Sequence, residues 1–206
     1  ITGGIASGKT TISNFLKKQK YPVHESDNVV NKIYAKPKKS FINYLKKIGL
    51  GEALKTKKIN KSKIRENIFK NKKKKKLLEK HIHEEVKKSR NTFLKKNKNS
   101  KIVFLDIPLL FENRLEKVCD FVILAYSPIN IRKKRAIQRR GMTKKILTKI
   151  IKSQITDRIK KKKSHFIINT NKRKTKSFHE IKNIIKLILS QNAWNYIRYR
   201  NNRIKL

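Results

Sequence analysis

The stretch Gly3-Gly-Ile-Ala-Ser-Gly8-Lys9-Thr10 fits G-x-x-x-x-G-K-[ST] without a gap, and no other feature restricts the fold of the chain as tightly. Glycines at its ends let the backbone turn sharply and aim successive N–H groups at phosphate oxygens. A helix starting next would point the positive end of its dipole at the same place. Ile12, Phe15 and Leu16 recur at helical spacing directly afterwards, so a helix is expected there, ending before Tyr21-Pro22. Ile1 and Thr2 read as the end of an opening strand, most of which would precede them. Such a unit predicts a nucleoside triphosphate site. Gly3, Gly4, Ala6, Ser7, Gly8, Lys9, Thr10 and Thr11 would cradle the phosphates, with Lys9 on the β- and γ-phosphates and the Thr10 hydroxyl on Mg²⁺. The competing reading is a chance glycine-rich turn ahead of a helix.

The rest of the chain alternates helical and extended patterns. Val23 and His24 form a very short extended piece, and Ser26-Asp27 supplies capping chemistry for a helix through Val29, Val30, Ile33 and Tyr34. From about 36 to 101 the pattern is helical and heavily charged, with no strand signal. Its stripes are Phe41, Tyr44, Leu45 and Ile48, then Ile64, Ile68 and Phe69, then Leu77, Leu78, His81, Ile82, Glu85 and Val86. Lys72 to Lys76 reads as a solvated turn or helix start. Ile102 to Asp106 is a short apolar run ending in an acid, as expected of a strand buried on both faces of a parallel sheet; Val118 and Phe121 to Ala125 repeat it. Pro128 begins a basic helix through Ile131, Arg135 and Arg139, which Gly141 breaks, and a second helix carries Ile146, Ile150 and Ile151 towards Gln154 and Arg158. Phe166 to Ile168 is a last strand. The tail from Ser177 shows Ile181, Ile184, Ile185, Ile188 and Leu189 at helical spacing, then Trp194, Tyr196 and Tyr199 in an amphipathic end. Strands separated by helices over 206 residues, without an internal repeat, argue for an α/β fold with a parallel sheet.

Charge raises a second possibility and then weakens it. Lys and Arg number 57 against 13 Asp and Glu, a formal +44, which invites nucleic acid. The basic residues are nevertheless spread from Lys9 to Lys205, alongside abundant Asn and Ile. Lys, Asn and Ile share A/T-rich codons, so mutational bias accounts for the composition and no specific nucleic-acid partner is expected. Phe15, Phe41, Phe69 and Phe104 fall on apolar stripes instead of alternating with bases on one strand face, as a stacking platform requires. The apolar runs fall short of the roughly 18 residues of a membrane span, no secretory signal is recognisable, and the single Cys119 cannot close an internal disulfide. A soluble, cytoplasmic protein without a membrane partner is expected, with Cys119 as a small core residue inside an apolar strand. His81 and His83 lack Cys or His partners at zinc spacing.

Three further positions carry candidate chemistry. Asp27 follows the second short strand, where it could accept a proton from an attacking hydroxyl and hold it in line with a γ-phosphate, or cap the next helix. Asp106 is the second acid expected near Mg²⁺, directly or through water, or else an ordinary strand-end acid. Arg135 and Arg139, four apart, would share a helical face and neutralise charge on a transferred phosphoryl group, or else face solvent.

Together these strings resemble the dephospho-coenzyme A kinase family. Thr2 to Thr10 is similar to that family's T-G-G-I-x-S-G-K-[ST], Val23-His-Glu-Ser-Asp27 to its V-I-D-A-D, and Asp106-Ile-Pro-Leu-Leu-Phe-Glu112 to its D-x-P-L-L-F-E; Arg135, Arg139, Gln154 and Phe166 to Ile168 follow in the expected order. The resemblance implies transfer of the γ-phosphoryl of ATP, with Mg²⁺, to the 3′-hydroxyl of the ribose of dephospho-coenzyme A (dephospho-CoA). It implies a P-loop NTPase-type parallel sheet flanked by helices (1–28, 99–130 and 164–206), a helical substrate-binding insertion (29–98) and a helical lid (131–163). Asp27, Lys9, Arg135 and Arg139 would be catalytic, Asp27, Asp106, Leu109, Phe111 and His83 would contact substrate, and the enzyme would be a monomer or small homo-oligomer. The sequence departs from the family pattern at Glu25, at Glu84 after His83, at Ser164-His165 and at Thr170, where an Asn is usual. Rival readings are another small phosphate-loop kinase acting on a nucleoside or nucleotide, or a basic nucleic-acid-binding protein with a relic nucleotide site. A GTPase-like switch lacks its Asn-Lys-x-Asp string.

Overall fold

The glycine-rich loop runs into α1 (Lys9–Lys18), whose Ile12 and Leu16, four apart on one face, are both buried. The N–H groups of Tyr21 and Lys20 turn back to the carbonyls of Leu16 and Lys17, with Lys20 at φ 63° in the left-handed position usually given to glycine. The chain then enters β1 (Val23–Glu25), which passes without a turn into α2 (Ser26–Ala35). The cap expected at Ser26-Asp27 is therefore corrected. Glu25 occupies the capping position without a side-chain capping hydrogen bond, and Asp27 lies within the first helical turn, where a carboxylate offsets the exposed N–H groups. The computed structural model describes residues 1–55 and 58–190, so the end expected at Trp194, Tyr196 and Tyr199 lies outside the described residues.

Two compact units divide the chain: residues 24–98, and residues 1–23 together with the chain from Asn99 onwards. The first comprises α2, α3 (Lys39–Lys47), β2 (Leu54–Lys55), β3 (Lys58–Ile59), α4 (Lys61–Lys70) and α5 (Lys72–Lys96). Antiparallel β2 and β3, with Leu54 opposite Ile59, interrupt a stretch expected to be wholly helical; strands of two residues are too short for alternation to show in a sequence. Lys72 to Lys76 do open a helix, and the Asn71 side chain caps it by accepting from the Lys74 N–H at 3.0 Å. Phe41, Leu45, Leu50, Ile59, Ile64, Leu78 and Ile82 are among the buried core residues. Phe69 is 74% exposed instead of lying on its stripe, because one residue past Ile68 is a rotation of about 100° off the buried face.

The other unit is organised around parallel strands. Every residue of β4 (Phe104–Asp106) is buried. The Ile1 nitrogen donates to the Leu105 carbonyl at 2.6 Å and the Ile107 N–H to the Ile1 carbonyl at 3.0 Å. On the other side the Thr2 N–H donates to Ile123 at 2.9 Å and the Ala125 N–H to Thr2 at 2.8 Å. Ile1 and Thr2 thus run between β4 and β5 (Ile123–Tyr126), parallel to β5. The helices α6 (Ile129–Ile137), α7 (Lys144–Ser153) and α8 (Asp157–Lys163) separate β5 from β6 (Phe166–Asn169), which pairs with it in parallel from Ile123–Phe166 to Tyr126–Asn169. With α9 (Lys174–Leu189), these elements enclose Ile12, Leu16, Phe104, Ile123, Phe166, Ile168, Ile181 and Ile185.

Three expectations fail here. Val118 is 44% exposed in a 3-10 turn (Leu115–Val118) and Cys119 follows that turn, so neither lies in a strand; the exposed Asp120 keeps the chain at the surface until β5 begins. Arg139 does not share a helical face with Arg135. The last buried anchor of α6 is Ala136, the polar residues Gln138 to Arg140 give the helix nothing to bury, and the Arg139 N–H closes a tight turn on the Ala136 carbonyl at 3.0 Å. Gln154 and Arg158 are not one continuous helix with Ile151, since Thr156 caps a separate α8.

Candidate active site

The loop between Thr2 and α1 is built for close approach. The Ser7 N–H donates to the Gly4 carbonyl at 3.1 Å, and Gly8, at φ 86°, holds the left-handed turn from which α1 begins. Ala6 is also left-handed, at φ 56°, a conformation costing a residue with a side chain about 1–2 kcal/mol. Its methyl group is buried against Ala136 and Leu147, which offsets that strain. Lys9 leaves the loop to place its ammonium 2.6 Å from Asp106 Oδ1, while the Ser13 hydroxyl donates to Oδ2 at 2.6 Å. Asp106 is 4% exposed. A carboxylate that deep is tolerated only with partners of this kind, so Asp106 is no solvated strand-end acid.

Two residues from the second half of the chain bond to the same loop, and two more back them up or lie against it. The Thr170 hydroxyl donates to the Ser7 carbonyl at 2.5 Å and is 3.0 Å from the Tyr126 carbonyl, joining the loop to β5. The Thr170 carbonyl in turn accepts from the Arg135 guanidinium at 3.0 Å. Gln154 Oε1 accepts the Ile5 N–H at 3.1 Å, and Arg132 lies against Gly4. Sequence reasoning missed Arg132 and Ser13, and saw Thr170 only as a departure. Nothing in the sequence sets Arg132 apart from the basic residues around it; its burial one turn from Ala136 shows only in the fold.

The remaining predicted residues lie on several elements. Thr10 is exposed and Thr11 half-buried in the first turn of α1. After β4, Leu109 is 40% exposed whereas Phe111 is 2% exposed, so Phe111 shapes the loop from inside and offers no surface to a bound molecule. Glu112 accepts the Ile155 N–H at 3.0 Å and pairs at 2.9 Å with Lys160, itself 1% exposed. Arg139 is exposed in its turn. Asp27 and His83 belong to the helical unit, Asp27 in the first turn of α2 and His83 exposed on α5. In that unit His24 is buried beside Phe93 with Nε2 3.1 Å from the Ser89 hydroxyl; burial first, and the nearby Arg90 next, hold its pKa below the ordinary 6.5, with Glu25 opposing them. Thr10 and Asp106 offer the hard oxygen donors that Mg²⁺ prefers. No group of three His, Cys, Asp or Glu side chains gathers among the described residues, so an ion at the loop would draw its other ligands from phosphate and water.

Residues 1–176 match the dephospho-CoA kinase family model. The chain belongs to that family. A dephospho-CoA kinase of Bartonella henselae is 34% identical over 192 residues, covering 92% of this chain and 96% of the relative. One of Fusobacterium nucleatum is 33% identical over 171 residues, covering 83% and 88%. Among solved structures, a dephospho-CoA kinase from Campylobacter jejuni superposes with a TM-score of 0.68 at 28% identity, covering 93% of this chain and 96% of that one. A Thermus thermophilus structure at 23% identity, with a TM-score of 0.74 over 92% and 94% of the chains, shares the fold. As a dephospho-CoA kinase the protein is an ATP-dependent phosphotransferase.

Proposed function

We propose that the γ-phosphoryl of ATP is transferred to the 3′-hydroxyl of the dephospho-CoA ribose, giving CoA and ADP, on a P-loop NTPase-type core (1–28, 99–130 and 164–206). Residues 29–98 serve as the substrate-binding insertion and 131–163 as the lid. The observation that carries the reading is the Lys9–Asp106 pair at 2.6 Å, set at the end of an amide-lined turn. An ammonium has three donors; one on Asp106 orients Lys9 and leaves two for phosphate oxygens. The backbone of the loop turns tightly beside that ammonium, with the Ile5 and Ser7 N–H groups bonded to Gln154 and Gly4, and the start of α1 adds its dipole.

Asp27 acts as the base that takes the proton of the incoming hydroxyl and aligns its oxygen. Arg135, bonded to the residue that grips Ser7, and Arg139 bring positive charge to the transferred group. Leu109 and His83 contact the acceptor. Thr10, and Asp106 directly or through water, would hold Mg²⁺, which when bound supplies charge neutralisation on the phosphates. The formal +44 creates a field that draws both anionic substrates in. No helix among the described residues is long and apolar enough to cross a membrane. We place the enzyme in the cytoplasm, as a monomer or small homo-oligomer without a specific nucleic-acid partner.

The test is to incubate the protein with Mg-ATP and dephospho-CoA and analyse the product by mass. One added phosphoryl group, located on the ribose, is expected. Faster phosphorylation of nucleoside monophosphates would overturn the choice of acceptor.

A further inference from the structure

We infer that Arg132 and Gln154 are positioning residues for ATP, acting as a clamp on the Gly4–Ile5 side of the phosphate loop. This rests on reading that loop as the ATP site. Arg132 is 5% exposed in a protein with 57 Lys and Arg, so its bonds indicate why it is inside. Its Nε donates to the Ser127 carbonyl at 3.0 Å, and its Nη2 pairs with Asp157 Oδ2. The remaining amino group, Nη1, lies over Gly4. A Cβ at Gly4 would collide with Nη1 and come within 3.3 Å of Gln154 Oε1. Gly4 has no left-handed φ; what glycine supplies there is the space in which the guanidinium and the carboxamide close on the backbone.

Gln154 and Asp157 bracket the short link between α7 and α8, and each end of that link is tied. Gln154 Oε1 accepts the Ile5 N–H at 3.1 Å; Asp157 is held by Arg132. Ile155, between them, donates its N–H to Glu112 Oε1 at 3.0 Å. Thr170 grips the other half of the loop at Ser7 independently. Two halves with separate holds fix the loop's backbone before any phosphate arrives. A preorganised site avoids the ordering cost on binding. The segment read as a lid is therefore tied down at Arg132, Gln154 and Asp157.

Removing the clamp should weaken ATP in the ground state and the transition state alike, which raises KM for ATP and leaves kcat in place. Gln154→Ala is the first variant, since its side chain is only half-buried. KM and Kd for ATP should rise by about three- to tenfold, the worth of one such hydrogen bond. KM for dephospho-CoA and the thermal midpoint should stay put. The double variant Arg132→Gln/Asp157→Asn removes both charges together, leaving neither buried alone, and should give the same selective rise. Arg132→Lys keeps the charge but not the fork and should fall between wild type and the double variant. An unchanged KM for ATP in Gln154→Ala, or equal rises in KM for both substrates, overturns the clamp. If the wild type lacks dephospho-CoA kinase activity, the reading of the function fails instead. Direct ATP titration of the same variants still decides the clamp.

Discussion

In the unit that carries the phosphate loop, cations go inside with an acid to meet them: Lys9 on Asp106, Arg132 on Asp157, Lys160 on Glu112. In the helical unit of residues 24–98, Lys70–Glu66 and Lys75–Glu79 are exposed pairs one helical turn apart, and the interior is built from Phe41, Leu45, Leu50 and their neighbours. Arg90 is a buried cation of that unit, and its field helps hold His24 neutral. With 13 acids for 57 bases, this chain has few carboxylates to distribute. They matter most where a cation must be buried to shape a binding surface. A helical unit that needs only an apolar stripe can carry lysine on every exposed position.

The sharpest way to break this contrast is to change one acid in each unit. Asp27→Asn, in the helical unit, should lower kcat by about 10²–10⁴, the usual worth of a general base, with ATP affinity and melting temperature kept. Steady-state kinetics with calorimetric ATP titration measures it, and unchanged turnover would reduce Asp27 to a helix-end charge. Glu112→Ala, in the loop-bearing unit, should act on stability instead. It leaves the Lys160 ammonium buried and unpaired, at a cost of about 3–5 kcal/mol read from the urea midpoint, and adding Lys160→Met should recover most of the loss.

His24 gives a smaller, pH-dependent effect. Its folded pKa lies below 6.5, so the fold favours the neutral ring. That stabilisation is complete above 6.5 and is lost as the pH falls through the depressed folded value. Thermal midpoints at about pH 7.5 and about pH 5.5 should therefore differ more in the wild type than in His24→Gln. Equal slopes would remove His24 from the account. The smallest effect belongs to Lys70→Ala: losing an exposed i, i+4 pair should change unfolding free energy by less than about 0.5 kcal/mol. A larger loss would mean that surface pairs carry more of the helical unit than its apolar core suggests.

The loop from Gly3 to Thr10, the helix after it and the buried strand ending at Asp106 were legible because each depends on neighbours within one or two turns of chain. The brief β2–β3 pair was not, since two residues cannot display a period. Arg139 was misplaced because a basic helix gives no sign of where burial stops; α6 ends at Ile137, once Ala136 has made its last contact. Arg132 was indistinguishable from the lysines around it until its burial was known, and Thr170, noticed as a departure, turns out to hold the Ser7 carbonyl.

From residues alone came the turn that offers amides to phosphate, the family and the α/β order of elements, all consequences of local backbone chemistry and short-range periodicity. Only the folded chain decided which of many cations go inside and which acids meet them. Lys9 and Asp106 are separated by 97 positions and Ile5 and Gln154 by 149, and no pattern in one dimension records a hydrogen bond closed across such distances.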